Sequence, residues 1–108
     1  MSRELDKAIA EALGWKRHEG LWQDPKKELE ISWPDYSSDG REMIALDSYM
    51  CEKGWNKTTD IDFYGHVVVN YWNDDNVYQT AGYKSQPYLS AVTAYKALTG
   101  KEWEVQGE

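Results

Sequence analysis

Reactive side chains are sparse in this chain, and the spacing of those present limits what they can do. Cys51, His18 and His66 are the only soft metal ligands, and they lie too far apart in sequence for the four well-spaced donors of a zinc site. A helix-borne Cys51 reads as a small core residue, and the sequence around it shows no basic activator for its thiol. Asp60 and Asp62 alternate and so share a strand face, the geometry two carboxylates need to hold a hard cation or to divide general acid and base roles. Charges that blunt a sheet edge explain the same pair more simply. Asp74 and Asp75 lie in the turn sequence Asn73-Asp74-Asp75-Asn76 and are turn formers first. His66, on a mixed strand face near Tyr64 and Trp72, can act as a base or as a satisfied structural group. No nucleophile elbow, phosphate-cradling glycine loop or paired-histidine zinc motif occurs. The expectation is therefore a non-catalytic protein that needs no metal or cofactor.

The elements that must position these residues centre on His66 to Tyr83, HVVVNYWNDDNVYQTAGY, the densest β-branched and aromatic run in the chain. It reads as a hairpin, with Val67, Val69 and Tyr71 on one face and His66, Val68, Asn70 and Trp72 on the other. Its second strand sets Val77, Gln79 and Ala81 against Tyr78, Thr80 and Gly82. Asp60 to Tyr64 reads as a short preceding strand, with Gly65 marking a bend. The other elements should cover one face of this hairpin.

Before it, Leu5, Ile9 and Leu13, flanked by Ala8 and Ala12, form the stripe of a helix over residues 4–13, capped by Ser2 and closed by Gly14. Trp15 is placed to fold back on the core. Arg17, His18 and Glu19 fall in a connection. Leu21 and Trp22 then form a short strand, Asp24-Pro25-Lys26-Lys27 a turn, and Leu29, Ile31 and Trp33 one face of a second strand with Glu28, Glu30 and Ser32 on the other. After the loop Pro34–Asp39, Asp39 and Glu42 have capping-box spacing for a helix running to about Lys53, with Met43, Leu46 and Met50 inward and Ala45, Tyr49 and Cys51 beside them. Gly54 and Trp55 end it. Ser85 caps the last helix, Pro87 suits its first turn, and Tyr88, Ala91, Tyr95 and Leu98 make its stripe, widened by Leu89, Val92 and Ala94; Gly100 stops it. The predicted class is α+β: an antiparallel β-sheet of four to five strands covered by three helices, order α-β-β-α-β-β-α. Residues 1–108 form a single domain, and 101–108 a short acidic tail in which Trp103 can pin back.

With 108 residues the chain can bury one core without staples. Its rings are six Trp and eight Tyr against one Phe, amphipathic groups that serve a thin core or a binding face equally well. The net charge is −7, and no Lys or Arg occurs between Lys57 and Lys84, a 26-residue interval holding Asp60, Asp62, Asp74 and Asp75. Such a surface repels phosphate backbones and attracts basic proteins, so direct nucleic-acid or anionic-membrane binding is disfavoured; solubility alone also explains it. A single cysteine excludes an intrachain disulfide and fits a reducing compartment. The charged, amphipathic start and the lack of a long apolar run point to a protein of the cytoplasm.

Three segments, LDKAIAEALGW (Leu5–Trp15), PDYSSD (Pro34–Asp39) and AGYKSQPYLSAVTAYKALTG (Ala81–Gly100), resemble in order and spacing the small phage ABA-sandwich domain family. The resemblance implies a phage or prophage protein acting in the host cytoplasm, with helices on both sides of an antiparallel sheet; it transfers no catalytic residue. Three readings follow. In the first, the protein inhibits a bacterial antiviral defence system, in the manner of an anti-CRISPR, by docking on a basic nucleic-acid-handling host protein. The acidic hairpin then mimics nucleic acid: Asp60, Asp62, Asp74 and Asp75 steer, and Trp72 and Tyr78 anchor. In the second it is a phage accessory protein whose aromatic face makes a homodimer. In the third it is a sponge for a nucleotide second messenger, a Trp or Tyr stacking on the base and Arg3, Arg17 or Arg41 reading phosphate.

Overall fold

The computed structural model describes residues 3–25, 30–31 and 33–103. In it the chain runs through α1 (Arg3–Ala12), β1 (Lys16–His18), β2 (Leu21–Gln23), β3 (Glu30–Ile31), α2 (Gly40–Glu52), β4 (Asn56–Ile61), β5 (Val67–Trp72), β6 (Val77–Gly82) and α3 (Gln86–Thr99). The class is α+β as expected, with three helices, but the strands form two separate antiparallel sheets of three, β1-β2-β3 and β4-β5-β6, instead of one sheet of four to five. The order is α-β-β-β-α-β-β-β-α.

The extra strand β1 comes from residues read as a connection. Glu19 and Gly20 both have positive φ, 52° and 82°, the two-residue turn whose twist matches a hairpin. It pairs Arg17 with Trp22 and His18 with Leu21. Glu-Gly is a weak form of the usual Asn-Gly signal, and three exposed residues have no visible period. Only Glu30 and Ile31 of the predicted second strand are described as paired; Glu28, Leu29, Ser32, the turn lysines Lys26 and Lys27, the cap Ser2 and the tail beyond Trp103 lie outside the described residues.

β5 is the middle strand of the larger sheet. Val69 faces Thr59 on β4 and Thr80 on β6, and Tyr71 faces Lys57 and Tyr78. Val67, Val69 and Tyr71 are buried, as their alternation predicts. The chain reverses at Asn73, whose side-chain oxygen accepts from the backbone N–H groups of Asp75 and Asn76 at 2.9 and 2.8 Å. β4 begins four residues earlier than predicted and stops at Ile61, because Asp62 does not continue the strand. Its carboxylate accepts the N–H groups of Tyr64 and His66 at 2.8 and 2.9 Å, closing a turn through residues 62–65.

α3 packs against β5 and β6 on one side and against α1 and α2 on the others. Seven successive residues, Tyr88 to Ala94, are buried, which at 100° per residue covers every side of the helix. Small residues Ser90, Ala91, Thr93 and Ala94 let its neighbours approach, and the Thr93 hydroxyl is spent on the Leu89 carbonyl at 2.6 Å. Ser85 caps its N-terminus and Gly100, at φ 71°, its C-terminus. The opposite face of the larger sheet, with Thr58, Asp60, Trp72, Val77 and Gln79 exposed, carries no helix among the described residues. In this sheet the helices therefore lie on one side, not on both.

The remaining elements close the same core. Asp39 accepts from the Arg41 N–H at 2.8 Å and starts α2; Leu46 and Met50 point inward while Cys51 is exposed, contrary to its predicted core position. Leu5, Ile9 and Leu13 of the α1 stripe are buried. Gly14 ends that helix at φ 96° and leaves room for Pro25, whose Cγ would stand 3.3 Å from an added Cβ. Trp15 follows into the core, its ring edge-on to Tyr49 at 6.0 Å. At the far end Trp103 folds back edge-on to Tyr95 at 5.2 Å.

Candidate functional site

The register of the larger sheet decides which loops share a surface. Ile61 pairs with Val67 and Val67 with Gly82, so the β4–β5 turn and the residues after β6 emerge at one end. Phe63, Tyr64 and Tyr83 stand there 95%, 81% and 74% exposed. Phe63 and Tyr64 meet edge to face at 5.5 Å, and the His66 ring tilts over Tyr83 at 5.1 Å. Asp62 makes this possible: its two bonds to backbone N–H groups hold the turn that lifts Phe63 and Tyr64 out of the sheet.

Tyr83 also lines a cavity of about 380 Å³ between β6 and α3, with Gly82, Lys84, Leu89, Val92 and Trp103. Two cations flank it. Lys84 Nζ lies 5.6 Å from the Tyr88 ring centre. Lys96 Nζ donates to the Gln79 carbonyl at 3.1 Å and pairs with Glu102 at 3.4 Å, covering an outward carbonyl of the edge strand.

The predicted partner-binding residues do not form one patch. Asp60 stands on the open face of β4. Asp62 is at the aromatic end, its side chain already engaged. Asp74 and Asp75 are exposed in the turn at the other end of β5, about 20 Å away at the rise of a six-residue strand. Trp72 lies on the open face opposite Val77, whereas Tyr78 lies on the covered face beside Trp55 at 5.6 Å. They cannot anchor the same partner surface. His66, predicted near Tyr64 and Trp72, meets Tyr83; Trp72 is at the far end of its strand. Nor is the interval free of cations in space, since Lys57 lies within the sheet and Lys96 reaches β6 from α3.

The strongest polar cluster is structural in form. Asp47 of α2 accepts the Tyr71 hydroxyl at 2.5 Å and the Lys57 amine at 2.9 and 3.1 Å, tying α2 to two strands. Burial, then the bond to Asp47, pushes the Tyr71 pKa far up, so this hydroxyl donates and does not act as a base. A second polar group was invisible in sequence. Asp6, 2% exposed on α1, accepts the Ser37 N–H at 2.9 Å, and burial raises its pKa from 3.8 to about 6 against the pull of its hydrogen bonds to Ser37. Cys51 lies on α2, His18 on β1 and His66 just before β5, and among the described residues no three His, Cys, Asp or Glu side chains are grouped to hold a metal ion.

Of the arginines, Arg3 and Arg17 both reach the Trp33 ring. Their guanidinium carbons lie 4.7 and 6.0 Å from the ring centre of Trp33. Arg41 is in the first turn of α2 and not on that ring. Sequence reasoning missed Phe63 as a surface residue. The signal was present: Asp62-Phe63-Tyr64-Gly65 has Asp at the first and Gly at the fourth position, a type I turn composition, and a turn exposes its central side chains. No helix among the described residues is long and apolar enough to cross a membrane. No family model, characterised protein or solved structure matches the chain.

Proposed function

We propose that the chain is a non-catalytic protein-binding module whose contact surface is the aromatic end of the β4–β6 sheet. The observation that carries this reading is the exposure of Phe63 and Tyr64 at the end of the sheet that also bears exposed Tyr83. Large rings left in water cost free energy that burial in a partner recovers, about 25 cal/mol per Å² of apolar surface. Asp62 directly precedes Phe63 in the turn and Asp60 is exposed on β4 two residues before Asp62, and a partner with an apolar recess rimmed by basic groups is complementary to this end. The resemblance to a phage domain family and the acidic hairpin favour a nucleic-acid-handling defence protein of the bacterial host as that partner. In this more specific reading Asp74 and Asp75 act as a separate steering site at the other end of the hairpin, with Trp72 on the open face between. The host cytoplasm is the compartment this reading requires.

The test is a pair of pull-downs from host lysate, with the natural chain and with a Phe63→Ser, Tyr64→Ser variant. The module reading predicts a nucleic-acid-handling protein recovered at low salt by the first and lost by the second. Recovery of the same proteins by both would refute the aromatic surface. Sedimentation of both proteins across a concentration series examines the second reading, in which the same rings bury against a second copy: association of the natural chain alone would assign the surface to a homodimer.

A further inference from the structure

The small sheet and the start of α1 build a paired-arginine site that the protein-binding reading does not use. Arg17 and Trp22 are cross-strand partners, and Trp22 faces Ile31 in turn. Trp33, two residues beyond Ile31, meets Trp22 edge to face at 6.2 Å. Arg17 lies over Trp22 at 5.3 Å and beside Trp33 at 6.0 Å, and Arg3 covers Trp33 at 4.7 Å. Both arginines are exposed. In a chain with nineteen acidic residues and only three arginines, neither Arg3 nor Arg17 forms an ion pair or side-chain hydrogen bond among the described residues.

A cation–π contact engages the charge of a guanidinium and leaves its N–H forks without an acceptor. Covering Trp33 therefore accounts for the position of the two arginines but spends none of their donors. Contact with the rings also narrows the rotamers that an oxyanion would otherwise have to select. The geometry points to a binding site at Arg3 and Arg17 for the phosphoryl group of a small ligand. A carboxylate has two oxygens and is filled by one guanidinium fork. A phosphate or diphosphate offers enough oxygens and charge to receive both. The net charge of −7 works against a long polyanion and so favours a small one.

Titration calorimetry at low salt with inorganic pyrophosphate is the direct test, with acetate as the carboxylate control and a nucleoside diphosphate as a second arm. Pyrophosphate binding with one site per chain and no heat from acetate are expected. Arg3→Gln and Arg17→Gln should each weaken it about tenfold or more, the value of one charge-assisted fork. Arg17→Lys, which keeps the charge but loses the fork, should weaken it as well. Tighter binding of the nucleoside diphosphate would extend the site to a nucleotide, and equal binding would confine recognition to the phosphoryl group. No heat from pyrophosphate through the low millimolar range, or undiminished binding by the doubly substituted chain, overturns the assignment. Neither outcome bears on Phe63 and Tyr64.

Discussion

The buried carboxyl of Asp6 makes stability depend on pH in a direction opposite to that of a salt-bridged acid. In the folded chain its pKa is about 6, against 3.8 for the free group, with burial the largest cause and the charge of Asp35 adding to it. Below about pH 3 the carboxyl is protonated in both folded and unfolded chains. Between there and about pH 6 the folded protein keeps a proton that the unfolded chain has released, so stability falls as pH rises through this window and levels off above it. A shift of about two units corresponds to about 3 kcal/mol at 1.36 kcal/mol per unit. Asp6→Asn keeps an oxygen for the Ser37 N–H and removes the titration. Urea unfolding followed by tryptophan fluorescence from pH 4 to 7.5, at fixed ionic strength, gives the stability difference between the two proteins at each pH. The natural chain should lose about 2 kcal/mol relative to the variant across that range, the remainder of the effect falling below about pH 4. A difference that stays constant with pH would refute the claim that this group folds into the core at the expense of its charge.

Asp47→Ala strips the partner from the buried Tyr71 hydroxyl and from Lys57, and should cost about 2–3 kcal/mol in chemical unfolding; Tyr71→Phe, which removes the donor itself, should cost about 1 kcal/mol. Gly100→Ala forces a side chain into the left-handed cap at φ 71° and should cost about 1 kcal/mol, read as a lower melting temperature. Ser85→Ala deletes the cap that accepts the Tyr88 N–H, again at about 1 kcal/mol. Phe63→Ser should leave stability within about 0.5 kcal/mol, because the ring is almost wholly in water; a larger loss would show that the ring packs on the fold.

Much of the fold was legible because it is encoded locally. The α1 stripe, the caps at Asp39 and Ser85, the stops at Gly14, Gly54 and Gly100 and the β5–β6 reversal at Asn73 each depend on residues within a few positions of one another. The errors fall where local signals are weak. β1 is three exposed residues behind a Glu-Gly turn, and Asp60 to Tyr64 alternates well enough to resemble a strand until Asp62 turns the chain. Cys51 lies beside the apolar stripe of α2, and the side of α2 that meets its neighbours excludes it.

The sequence by itself determined the helices, the central hairpin with Val67, Val69 and Tyr71 inward, and the acidic character of the segment around it, because period and turn chemistry are properties of neighbouring residues. The tertiary structure decided the rest. It covered the stretch of α3 from Tyr88 to Ala94 on every side, separated the strands into two sheets, placed Trp72 and Tyr78 on opposite faces, and brought His66 to Tyr83 and both Arg3 and Arg17 to Trp33. Each of these depends on side chains far apart in sequence meeting in space, and no local pattern specifies which distant partner removes a residue from water or leaves it there.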